Sequence, residues 1–167
     1  MVKKIIIGVL IALIAFQFYR PEKNISDDNT YAFTNKYPMS SEVKDIFVVA
    51  CNDCHSNKTE YPWYANVQPV ASFLNHHVEE GKQHFNISTL LKLPIAVQNH
   101  KLEETIEMVK EKEMPLESYT YLGLHKGANL TDAQRELIIV WAQAQMDSLK
   151  ANYPADSLVM KKRKPKA

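Results

Sequence analysis

The sequence predicts an all-α domain behind an apolar N-terminal segment. Three observations carry that expectation. Only four of the 167 residues are glycine, which disfavours a turn-rich β-protein. Val43, Ile46, Phe47 and Ala50 recur at i, i+3, i+4 and i+7, the spacing of one helical face. Helix punctuation is also present. Thr131 with Gln134 three residues on forms a capping box, and Pro115 stops a preceding helical pattern.

At the N-terminus, Lys3 and Lys4 precede an apolar run from Ile5 to Phe16, extended by Phe18 and Tyr19. A basic start with a short apolar core is the shape of a signal peptide or an uncleaved anchor. As a helix, Ile5 to Tyr19 reaches about 22 Å, against a hydrocarbon core of about 30 Å. Phe16, Phe18 and Tyr19 suit an interfacial aromatic belt. No small-x-small cleavage site follows the run, so residues 1–20 read as a transmembrane anchor helix with the lysines inside and the domain exported. Residues 21–40, polar and carrying Asp27-Asp28-Asn29-Thr30, read as a linker.

Four further helices are expected. Ser40 or Ser41 caps the first, whose stripe runs into Cys51. The second starts near Pro69, presents Val70, Phe73, Leu74 and Val78, and ends at Gly81 or runs on to Phe85. The third spans His100 to Lys112, with Leu102, Ile106 and Val109 on one side. The last begins after Thr131 and buries Ala133, Leu137, Val140, Trp141 and Ala144. Residues 151–167 read as a frayed basic tail, with Lys161, Lys162, Arg163, Lys164 and Lys166. The net charge of +1 does not point to nucleic acid, and no nucleic-acid partner is expected.

The chemistry centres on Cys51-Asn52-Asp53-Cys54-His55, which fits the C-x-x-C-H haem attachment signature. Positions i, i+3 and i+4 share a helical face. Both thiols can therefore form thioethers to one haem while the His55 imidazole ligates its iron. The motif uses every cysteine in the chain. A thioredoxin-like pair needs a βαβ pattern that is missing, and structural zinc usually draws on a second ligand pair. On the opposite side of the iron, Met114 is the candidate ligand. It stands between a helical pattern and Pro115, whereas Met108 and Met146 fall inside predicted helices. His76 and His77 are the alternatives, giving bis-histidine ligation. The dense aromatics Tyr61-Pro62-Trp63-Tyr64 pack as an ordinary loop or wall the haem edge, with Trp63 or a tyrosine hydroxyl donating to a propionate.

These residues resemble the class I c-type cytochromes: a helix bearing C-x-x-C-H, a long middle, a ligand methionine and a C-terminal helix. More closely, residues 1 to 145 resemble a bacterial family of membrane-anchored haem-binding-domain proteins. That pattern combines the motif with Tyr61-Pro62-Trp63-Tyr64, Pro69, Glu80-Gly81 and Glu113-Met114-Pro115. The resemblance implies a cytochrome c-like fold over residues 41–150, haem c held by Cys51 and Cys54, and iron between His55 and Met114. With the N-terminal segment it further implies a single-pass protein of the inner membrane, its haem domain in the periplasm; with both axial positions expected to be filled, the function expected is one-electron transfer to a redox partner protein. It is not expected to be an enzyme. The rival is an open or bis-histidine iron serving a sensor or a peroxidase-like protein. A third reading is an interaction module whose basic tail docks a partner. One departure is visible: Val43 stands where class I cytochromes keep a small residue at the crossing of the first and last helices.

Overall fold

The computed structural model describes residues 1–121 and 124–160, and among these residues it is all-helical with no strands. The helices are α1 Val2–Phe16, α2 Ser41–Ala50, α3 Asn52–His55, α4 Val70–His84, α5 Ile95–Lys110, α6 Glu117–Thr120 and α7 Asp132–Asn152. One isolated bridge joins Ile25 to Lys58. The expected caps are in place. The Ser40 hydroxyl accepts from Val43 N, and Thr131 and Gln134 make the reciprocal capping box that starts α7.

The core is a closed cluster in which α5 lies along α7 and α2 crosses α7. Phe47 of α2 meets Trp141 of α7 edge-on at 5.3 Å between ring centroids. Val43 is buried at this crossing, so the missing small residue does not keep the two helices from meeting. The Trp141 indole N–H donates to the Pro38 carbonyl at 2.8 Å, which satisfies the only polar atom of a buried ring.

Several boundaries differ from the sequence expectations. Residues 21–40 are not a linker. Phe33 is 3% exposed and packs on Phe47, Trp141 and Phe85, and Tyr37 is 2% exposed. Backbone bonds from Ser26 N to Asn57 O and from Thr59 N to Asn24 O strap the segment to the residues after the motif. Helix α5 begins at Ile95, just after Pro94, and not at His100. Pro favours the start of a helix, and the charged stretch beyond it hid the first turn. Helix α7 buries Ile138, Trp141, Ala142, Met146 and Leu149, while Leu137 and Val140 are exposed. Only Trp141 of the expected stripe is shared. The expected frayed end continues as helix to Asn152 and folds back, burying Leu158. The basic residues 161–167 lie outside the described residues.

Helix α1 has no buried residue. With 15 residues it reaches about 22 Å at 1.5 Å per residue. No helix among the described residues is long and apolar enough to cross a membrane. The transmembrane expectation therefore lacks the length it needs. The end of α1 is pinned to the domain, because Gln17 and Gln68 exchange amide–backbone hydrogen bonds of 3.0 and 3.1 Å.

Candidate functional site

A cavity of about 530 Å³ opens between the motif, α4, α5 and the segment after α5. That volume falls in the range of cofactor sites, roughly 300–1,000 Å³. Cys51, Cys54 and His55 share one wall. The chain kinks at Cys51, where α2 ends and α3 begins, and the His55 amide bonds back to the Cys51 carbonyl at 2.9 Å. The i, i+3, i+4 spacing thus delivers three chemically competent side chains to one surface, as the motif requires.

His55 is set by a second residue. Its Nδ1 lies 2.8 Å from the Phe85 carbonyl, which can only accept, so Nδ1 carries the proton and Nε2 keeps its lone pair. Burial lowers the His55 pKa, with the hydrogen bond to Phe85 opposing it. A neutral imidazole with a fixed tautomer is what a metal ligand needs. The thiols differ. Burial, and then the neighbouring Cys54, push Cys51 up to about 12, and burial and then Asp53 push Cys54 up to about 11. A reactive dithiol lowers its thiol pKa, so this wall is not built like a thioredoxin site. Among the described residues, no group of three or more His, Cys, Asp or Glu is arranged to hold a bare metal ion.

Helix α4 lies against the motif at Gly81. A Cβ there would stand 2.5 Å from the Cys54 carbonyl oxygen and 3.0 Å from its Cβ. Gly81 is therefore not a helix end, because α4 continues to His84. The residue is small so that two backbones can touch. His77, Gly81 and His84 lie on one face of α4 and all line the cavity, whereas His76 points to Glu80 at 3.4 Å.

Met108 and Val109 of α5, with Met114, Pro115, Leu116 and Tyr119 after it, also line the cavity. Met114 sits where the sequence places it, after the end of a helix and on the cavity. Met108 lines the cavity too, although it lies inside α5. Trp63 does not. It is 79% exposed, and neither it nor Tyr61, Pro62 or Tyr64 lines the cavity. That loop meets the N-terminal segment instead, the Tyr61 hydroxyl accepting from Asn24 N at 2.9 Å. The rings on the cavity are those of Phe47, Phe85 and Tyr119. Of these, Phe85 stands next to no motif and gave no sequence signal.

The donor set suits haem: two thiols and a tautomer-fixed imidazole from the motif, the thioethers of Met108 and Met114, and a mostly apolar lining around them. A helical domain with such a cavity is a haem-holding protein by construction. The chain matches the haem-binding domain family over residues 11–144, and it belongs to that family. No curated protein and no solved structure matches it.

Proposed function

We propose that this chain is a monohaem c-type cytochrome that transfers single electrons. The observation that carries the reading is one cavity lined by Cys51, Cys54 and His55 of the motif together with Met114. When bound, haem supplies the one-electron iron couple. Cys51 and Cys54 hold it by thioether bonds, and His55 presents Nε2 while Phe85 keeps the ring from turning. Met114 would offer its thioether as a second ligand, which raises the potential. Held by His55 and Met114 together, the haem would serve electron transfer and leave no place for a substrate.

A second reading has specific support, since His77 and His84 also line the cavity. Their face of α4, however, abuts Cys54 through Gly81, on the same wall as His55. Met114 comes from the segment after α5, away from α4, and is the partner we favour.

Helix α1 alone is short for a crossing, but its exposed apolar surface, continued by Phe18 and Tyr19, favours attachment to the inner membrane, with Lys3 and Lys4 on the cytoplasmic side and the domain in the periplasm. A phosphatase fused after Arg20 should be active there. An inactive fusion would reverse the orientation. For the haem itself, acid acetone should leave the pigment with the protein, and pigment in the solvent would refute covalent attachment. Ferrous protein should be inert to carbon monoxide, and Met114→Ala should make it reactive. Reactivity in the unmodified protein would move the reading to a sensor or peroxidase-like iron.

A further inference from the structure

Met114 has no covalent tie to the cavity, so its position depends on what holds the segment around it. Helix α5 ends in a Schellman turn. Lys112 takes φ 64°, Lys112 N bonds to Val109 O at 3.3 Å, and Glu113 N bonds to Met108 O at 3.0 Å. Arg135, on the second turn of α7, then donates from one guanidinium nitrogen to two carbonyls. These are Val109 O at 3.1 Å and Met114 O at 2.6 Å. One carbonyl belongs to the end of α5 and the other to the candidate ligand itself.

The far end of the segment is tied to the motif. Tyr119 donates to Asp53 Oδ2 at 2.6 Å, and Asp53 lies between the two cysteines of the motif. The other oxygen, Asp53 Oδ1, accepts from Glu60 N at 2.9 Å, so the acceptor is itself held. The His125 ring stacks on Tyr119 at 4.0 Å and 7°, and its Nδ1–H donates to the Tyr119 carbonyl at 3.0 Å. Burial and the bond to Asp53 both keep the phenol protonated. The segment is therefore anchored at residue 114 to the last helix and at residue 119 to the motif.

We propose that Arg135 and the Asp53–Tyr119 pair form a two-point clamp that holds residues 113–120 across the cavity, making them positioning residues for the Met114 thioether. The inference rests on the His/Met reading above and names what regulates that same site. Arg135 fixes the backbone of residue 114 relative to α5 and α7. The Tyr119 bond fixes the other end of the segment relative to the motif, because it reaches Asp53 directly. With either point released, the segment swings on the other and the thioether spends more time off the iron.

The test uses full-length haem-loaded protein and four variants: Met114→Ala, Tyr119→Phe, Arg135→Gln and Arg135→Lys. The readouts are the sulfur–iron charge-transfer absorption of the ferric protein, carbon monoxide binding by the ferrous protein, and hydrogen exchange at amides 113–120. Tyr119→Phe and Arg135→Gln should each speed that exchange about tenfold, weaken the absorption and admit carbon monoxide. Arg135→Lys keeps the charge without the two-carbonyl reach and should fall between. Unchanged exchange in both variants overturns the clamp. Faster exchange with absorption intact, while Met114→Ala abolishes it, overturns the positioning role alone. Absorption that survives Met114→Ala refutes the methionine ligand, and the clamp's function falls with it.

Discussion

Phe47 divides the interior into two regions. On one side it packs against Phe33 and Trp141, three rings from distant parts of the chain that fill their own space. On the other it lines the cavity, whose walls are apolar but whose facing side chains are tied only at their edges. The hub is complete with the chain's own atoms. The cavity wall is precise where the backbone is contiguous, from Cys51 to His55, and held by single side-chain bonds where it is not. The candidate cofactor-binding side chains thus lie on the locally determined wall, beside a core packed from the chain's own side chains.

The largest effect should separate the two regions at once. Replacing both cysteines, Cys51→Ala with Cys54→Ala, should abolish covalent pigment on a denaturing gel while the hub persists, read as retained near-ultraviolet signal from Trp141. If the hub signal is lost in step with the pigment, the two regions are one cooperative unit and the comparison fails. Next, Phe33→Ala should cost about 3–5 kcal/mol in denaturant unfolding. The loss should be similar in haem-loaded protein and in the double-cysteine variant, because the residue serves the hub.

Gly81→Ala should act the other way, on the cavity alone. The added Cβ meets backbone at 2.5 Å, which no rotamer can relieve. A cost of about 1–3 kcal/mol is expected, together with a lower fraction of molecules carrying haem after expression. Full haem occupancy with unchanged stability would mean that α4 moves away from the motif without consequence.

The smallest effect concerns Tyr37, at the rim of the hub, whose hydroxyl donates to Gln98 Oε1 at 2.7 Å. Burial pushes its phenol from 10.0 up to about 12. A raised native pKa favours the neutral form, so the stabilisation is whole below pH 10 and fades as pH rises towards 12. Tyr37→Phe should lower stability at neutral pH by about 1 kcal/mol and flatten the alkaline part of the curve. Equal alkaline slopes in the two proteins would place the sensitivity elsewhere.

The site was legible to the extent that it is contiguous. Cys51, Cys54 and His55 announce themselves by spacing, and Met114 by its place before Pro115. Asp53 stood inside the motif but had no visible partner, and Arg135 looked like any surface residue of an amphipathic helix. Trp63 misled because a dense aromatic run suggests a binding wall, yet nothing local says which way a loop faces. On α7, Leu137, Val140 and Ala144 made a plausible stripe, and so did Ile138, Ala142 and Met146, one or two positions on. Packing against α5 and α2 chose the second.

By itself the sequence determined the helical class, the capped starts of α2 and α7, and the spacing that brings Cys51, Cys54 and His55 to one cavity. These depend on interactions within a few residues, where spacing and geometry are the same thing. Only the tertiary structure decided that residues 21–40 strap the core, that Gly81 marks a backbone contact, and that Met108 and His77 share the cavity with Met114. It alone paired Arg135 with residue 114 and Tyr119 with Asp53. Those are contacts between segments 21 to 66 residues apart, set by how the helices pack. No local pattern encodes that arrangement.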